Sequence, residues 1–373
     1  MLSSRKANNF ARLAIHLFLH DTRASAALQK PPLLPLSELN FSIPASRDLW
    51  LADTAVKWKQ KYLTKSALAS PIPRIIDVMH DISLFDVLRD HIDTGVCSLA
   101  VLHGFWGQIW ALQEASKFYI GNQTGQDSAT HRVLLTAQHR ELYQDIQGFA
   151  TMVSDLPKQP PGIVIIVEFF MMTLHVSPDE LQRFAGKSGE EEAARTATSL
   201  QKWIPTADAR KAAWHAGQIF RFAKSMPPAE LRDFHAIAVY FASLTLWAYG
   251  LLSSSNSAHE SDGQHLPPRN QEGRDSSIHI SLDGPESRET RVFLSLDQGV
   301  PGLNYPYAGE MIFESLGNPN MVLKIAREIY RNNFPALEDP LPPLVENLGN
   351  LMRDLGSLPS SRFSRSSSES VEK

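Results

Sequence analysis

The stretch from Trp214 to Leu252, WHAGQIFRFAKSMPPAELRDFHAIAVYFASLTLWAYGLL, constrains this chain more than any other. Between Ala213 and Ala223, Trp214, Gly217, Gln218, Phe220 and Arg221 recur three or four residues apart, which predicts a helix. Met226-Pro227-Pro228 stops it, because proline lacks the N–H and pushes the preceding residue out of the helical region. A second helix is expected from Pro228, with Glu230 at the positive end of its dipole. From Phe234 to Leu252 it is apolar almost all round: Phe234, Ile237, Phe241 and Thr245 lie on one side, Val239, Ser243, Leu246, Trp247 and Gly250 on the other. A helix without a polar face belongs in a large core or in a membrane. The run from Ala236 is short for a span, and Tyr240, Ser243, Thr245 and Tyr249 make it less lipid-like. No basic flank orients an insertion, so the expectation is a buried helical hairpin and no membrane partner.

A chain of 373 residues with 43% hydrophobic residues and seven Trp can furnish a sizeable core. Lys and Arg number 36 against 40 Asp and Glu, a formal charge of −4, which provides no concentrated basic face for nucleic acid. The one cysteine, Cys97, excludes an intramolecular disulfide and suits a reducing interior. The N-terminal run has a basic start but no small-residue cleavage site, and His16 and His20-Asp21 interrupt it. A soluble intracellular protein is expected.

Helical spacing recurs along the chain. Asn8 to Leu28 places Phe10, Leu13, Ala14, Leu17 and Asp21 on one side. Ser46 is the expected N-cap of a helix carrying Leu49, Trp50, Val56, Trp58 and Tyr62. Further helices are expected around Ile75 to Phe85, Ser98 to Tyr119, His131 to Leu156, Glu190 to Trp203, Pro319 to Asn332 and Leu344 to Leu355. The run 163–176, IVIIVEFFMMTLHV, begins like a buried strand, yet its length and surroundings favour a buried helix. Glu168 inside it must be paired, protonated or at a bend, because an isolated buried carboxylate is costly; a structural hydrogen bond or a pocket meets that need. Residues 253–290, rich in Ser, Asp, Glu, Gly and Pro, are expected to form a disordered insertion, and 357–373 a serine-rich tail. The domain layout is therefore a main helical domain over 1–252, the insertion, and a helical continuation over 291–356.

Chemical motifs are scarce. His16 and His20 have the four-residue spacing of a helical metal pair, but position 17 is Leu where a zinc protease needs Glu, and no third ligand follows. Asp77, His80 and Asp81 are ligand types on what reads as a helix's wet side. Gly186-Lys187-Ser188 lacks the glycine a phosphate loop requires at position 181, which is Leu. Asp81 with Asp86, and Asp90 with Asp93, are the nearest approaches to a terpene-cyclase carboxylate cluster, and neither matches one. No CxxC pair exists for zinc, so no metal, cofactor or catalytic residue is expected in this chain.

The strings LAIHLFLHDTRASAAL (Leu13–Leu28), PPLLPLSEL (Pro31–Leu39) and IPASRDLWLADTA (Ile43–Ala55) resemble the regulatory middle homology domain of fungal-specific transcription factors, in the branch that carries C2H2 zinc fingers. WHAGQ (Trp214–Gln218), Pro227-Pro228 and LWAYG (Leu246–Gly250) resemble the end of the same domain. Val292 to Asp297 and the helix after Pro319 resemble its C-terminal segment. The resemblance implies an all-α regulatory domain without catalytic residues, acting in the nucleus. It implies partners among other transcription regulators or coactivators, with zinc and DNA contact belonging to a finger module that this chain lacks. The chain is then either a truncated gene product or a stand-alone regulator, and a single biosynthetic gene cluster is a reasonable target. The alternatives are a module binding a small-molecule effector near Glu168, and a helical enzyme of the terpene-cyclase type.

Overall fold

A computed structural model describes residues 2–65, 72–121, 127–155, 162–261, 278–307, 309–335 and 341–358, and its contacts divide the chain into Met1–Ile163 and Val164–Lys373. The first unit is built on three long helices, α1 (Leu2–Leu28), α6 (Thr94–Gly121) and α7 (Asp127–Ser154). Between α1 and α6 lie α2 (Arg47–Trp50), α3 (Ala55–Lys65), α4 (Ile75–His80) and α5 (Leu84–Leu88). α1 buries Ala11, Ile15, Phe18, Leu19 and Ala26, a stripe at three- and four-residue spacing, against α6. The stripe expected from the sequence is the other one: Phe10, Leu13 and Leu17 are 65%, 60% and 57% exposed. Arg12 decides between the two faces. It is buried, with Nη2 2.8 Å from Asp93 Oδ2 and 3.1 Å from the carbonyl of Ala45, while Asp93 itself accepts Val96 N–H in the first turn of α6.

The segment joining α1 to α6 is held by side chains of α1. The Asp21 carboxylate accepts Leu33 and Leu34 N–H, and the Ser25 hydroxyl donates to Lys30 C=O while receiving the Trp106 indole N–H at 2.8 Å. The single helix expected from Ser46 to Tyr62 is two helices. Ser46 precedes α2 without making a side-chain cap, and Thr54 Oγ1 accepts Lys57 N–H, which restarts the chain as α3. Likewise Asp81 closes α4 in extended backbone and accepts both Ser83 N–H and Oγ–H.

The second unit contains α8 (Ile163–His175), α9 (Pro178–Phe184), α10 (Glu190–Trp203), α11 (Ala207–Lys224), α12 (Asp233–Ser261), β1 (His279–Ser281), α13 (Arg288–Leu296), β2 (Val300–Tyr307), β3 (Glu310–Ser315), α14 (Pro319–Asn333) and α15 (Pro343–Ser357). The ambiguous run 163–176 is a helix, with Ile165, Ile166, Phe169, Phe170 and Met172 buried. α12 lies at the centre, packed by α11, α14, α15 and α9, which explains a sequence apolar on every side. Its segment Asp233–Ser254 and the α6 segment Thr94–Tyr119 are long and apolar enough to cross a membrane; over an 18-residue stretch of each, 83% and 56% of the residues are buried by protein. α12 begins at Asp233 rather than Pro228 for a tertiary reason. The Asn333 side chain accepts Leu231 N–H and donates to the carbonyls of Met226 and Pro227, pinning a turn in which Ala229 and Asp233 take left-handed backbone.

The fold is mostly helical, as expected, with one addition. β1 pairs parallel to β2, and β2 antiparallel to β3. The last part of the stretch read as a disordered insertion is structured from Ile278, with Ile280 and Leu282 buried, and α12 enters that stretch as far as Ser261. Residues 262–277 of that stretch, and 359–373 of the expected tail, lie outside the described residues. Composition misleads at 278–290 because the few apolar residues reach the core while helix α11 satisfies the polar backbone. Gln218 Nε2 donates to Leu282 C=O (2.7 Å) and Gly284 C=O (2.8 Å), and Gly217 lets the Leu282 carbonyl lie against the helix. Asp283, its side chain 1% exposed, accepts Asn304 N–H and the Lys224 ammonium. Gly250 on α12 repeats the device: a Cβ there would overlap the carbonyl of Leu316, in the turn that joins β3 to α14.

Gly217→Ala and Gly250→Ala are therefore expected to lower stability by about 1–3 kcal/mol each, the range for overpacking a filled core. Gly107→Ala, where a Cβ would meet nothing within 4 Å, is the control and is expected to leave the thermal midpoint unchanged or raised. Thermal denaturation followed by circular dichroism compares the three.

Candidate functional site

Glu168 lies on α8, and its charge is met from α11. Its Oε2 is 2.7 Å from His215 Nδ1, with the two side chains 18% and 5% exposed. Two turns along each helix the pairing repeats with the partners exchanged. His175, seven residues after Glu168, places Nδ1 2.9 Å from Asp208 Oδ1, and Asp208 lies seven residues before His215. The two imidazoles are parallel, with ring centroids 6.1 Å apart. The Trp203 indole donates to His175 C=O at 2.9 Å and satisfies a carbonyl at the end of α8 that the helix leaves open. Chemically, a carboxylate on Nδ1 fixes the orientation of the imidazole ring. Structurally, the two pairs brace α8 to α11. The sequence marked Glu168 by its cost and His215 by its motif. It gave no sign of His175 and Asp208, although the matched seven-residue spacing was there to read.

Other residues singled out by type have local duties. Asp77 accepts Arg74 N–H and guanidinium, closing a capping box on α4, and the guanidinium hydrogen bonds hold its carboxyl at about 2. Asp93 is taken by Arg12; Asp90 is exposed; the side chain of Asp86 lies outside the described residues. His16 and His20 stand exposed on the outer face of α1. Gly186-Lys187-Ser188 finishes α9: Gly186 takes left-handed backbone and the Lys187 ammonium binds Gln182 Oε1 at 2.8 Å. Burial and the neighbouring Asp93 push the Cys97 thiol far above its ordinary range, against the pull of Arg12, so it is a poor nucleophile and metal ligand.

Glu168 lines neither of two clefts found among the described residues. In the first unit, a cleft of about 730 Å³ between α4, α6 and α7 is lined by His80, Gln108, Gln138, Glu141 and Asp145 over Met79 and Phe105. Burial, then the adjacent Glu141, raises the Asp145 carboxyl above its usual range. In the second unit, a cleft of about 320 Å³ lies between α14, the sheet and the turn after α11, lined by Met226, Tyr305, Pro306, Met311, Ile325 and Glu328.

No family model matches the chain, and no solved structure matches it. Over 252 residues it is 22% identical to "Transcription factor 1" of Elsinoe fawcettii, a stretch that covers 61% of this chain and 25% of that protein. The chain thus spans about a quarter of the length of the curated relative it matches, and is a helical protein distantly similar to one named as a fungal transcription factor.

The brace between α8 and α11 is tested by a double-mutant cycle. Glu168→Ala and His215→Ala are each expected to cost about 1–3 kcal/mol, because each removes a charge-assisted hydrogen bond largely shielded from water. The double variant is expected to cost less than their sum, as coupled neighbours do. Urea unfolding of the four proteins measures the coupling.

Proposed function

We propose that this chain is the helical regulatory part of a fungal-type transcription regulator, acting in the nucleus with other regulators or coactivators. DNA contact comes from a zinc-finger module or from a partner protein, as in the C2H2-associated branch that the sequence resembles, and the target is a single biosynthetic gene cluster. The observation that carries this reading is the similarity over 252 residues to a fungal protein named as a transcription factor. The strings on which the resemblance rests support it, because they coincide with the residues that hold the two units. Asp21 and Ser25 fasten the segment after α1, and Gly217, Gln218 and Gly250 receive the sheet. Against an enzyme of the terpene-cyclase type, Asp81 and Asp93 are already engaged, one ending a helix and one bound to Arg12.

A second reading, binding of a small-molecule effector, is favoured by the 730 Å³ cleft, whose volume is in the range of ligand sites. Its Glu141 and Asp145 suit a cationic group on an apolar body.

Fused to a heterologous DNA-binding module, the chain is expected to change transcription of a matched reporter and to accumulate in fungal nuclei. Unchanged transcription with exclusion from nuclei would overturn the proposal. For the effector reading, diverse amines are expected to raise the thermal midpoint in the wild-type protein and not in Glu141→Gln/Asp145→Asn. A flat response across the set would reject it.

A further inference from the structure

We propose that β3 is a docking edge for an extended segment of a partner protein, apolar at alternate positions and basic at its ends, which adds as a fourth strand and seats a side chain in the cleft beside α14. The register of the sheet carries the inference. On β2, Val300 N–H donates to Ile278 C=O and Gly302 C=O accepts Leu282 N–H, so these residues turn their backbone toward β1. Alternation then turns Leu303, Tyr305 and Tyr307 toward β3, where they oppose Glu314, Ile312 and Glu310. The backbone groups of Met311 and Phe313 consequently point away from the sheet, and among the described residues β3 pairs with β2 alone.

Natural sheets protect such an edge with proline, lysine or a bulge. β3 reads Glu-Met-Ile-Phe-Glu-Ser and pairs residue for residue, so it carries none of these. Instead Met311 and Ile312 are 66% and 38% exposed along it, next to Tyr307 of β2 at 58%. Met311 also lines the 320 Å³ cleft, whose far wall is Ile325 and Ile329 of α14. A strand laid on β3 would hydrogen-bond to Met311 and Phe313 and direct alternate side chains toward that cleft, the pattern of strand addition. A compact small molecule would fill the cleft and leave the edge unmet.

Charge selects the partner's flanks. Glu310 and Glu314 stand at the two ends of the edge, and neither forms an ion pair among the described residues, whereas Lys224, the cation of the cleft, is bound to Asp283. A second copy is disfavoured for the same reason, since antiparallel pairing of two β3 edges through Met311 and Phe313 would set Glu310 of each copy against Glu314 of the other. The inference does not depend on the transcriptional reading.

The test selects peptides of about ten residues, enough to span a strand, from a displayed random library against the full chain. Recovered sequences are expected to alternate apolar residues between Lys or Arg ends. Fluorescence anisotropy with one such synthetic peptide then compares wild type with Met311→Pro, which removes an outward N–H without touching a bond to β2. Binding is expected to weaken on the order of tenfold, the equivalent of about 1.4 kcal/mol. Glu310→Lys is expected to weaken the basic-ended peptide and spare a neutral-ended one. Should Met311→Pro lower the thermal midpoint, the same peptide N-methylated at alternate positions, titrated into wild type, carries the test and is expected not to bind. A selection without alternating sequences, equal binding of the N-methylated peptide, or unchanged binding by a folded Met311→Pro each overturns the proposal. Concentration-dependent dimerisation lost in Met311→Pro would overturn it in favour of a second copy.

Discussion

The second unit depends on a close approach between helix and backbone carbonyl. At Gly217 the carbonyl of Leu282 lies against α11, and at Gly250 that of Leu316 lies against α12. Each of those carbonyls belongs to a segment bordering the sheet, and a buried carbonyl left without a partner costs on the order of 1–3 kcal/mol. Gln218 removes that cost at the first site by donating to both Leu282 and Gly284. Through Asp283, Asn304 and Lys224 the same contact fixes β1 against β2, so the register of the sheet descends from three residues of α11.

The first unit uses a buried charge where the second uses glycine. Arg12 and Asp93 are both nearly inaccessible, and each satisfies backbone as well as its partner: Ala45 C=O for the arginine, Val96 N–H for the aspartate. Burying such a pair yields little net stability, while breaking it leaves an uncompensated charge. That asymmetry selects one face of α1, and it explains why an equally apolar stripe of Phe10, Leu13 and Leu17 remains outside.

Glu168 joins the two kinds of reasoning. Its place in an apolar run demanded a partner, and the partner is His215, the second residue of the WHAGQ string. Neither helix alone indicates the pairing, because the match lies in equal spacing on two segments whose paired residues are 47 and 33 apart in the chain. The same holds for His175 and Asp208, which look like ordinary surface types at the end of one helix and the start of another.

Periodicity by itself determined most of the helices and the burial of α12, because these follow from which residues avoid water at a spacing of 3.6, while length and surroundings indicated the helix at 163–176. It determined equally that Glu168 could not stand alone. Tertiary structure decided what local pattern leaves degenerate. It chose the buried face of α1 through Arg12, delayed α12 to Asp233 through Asn333, and ordered 278–290 through Gln218. In each case the deciding group is a polar side chain meeting a backbone atom far away in sequence, and such pairings have no period for the sequence to display.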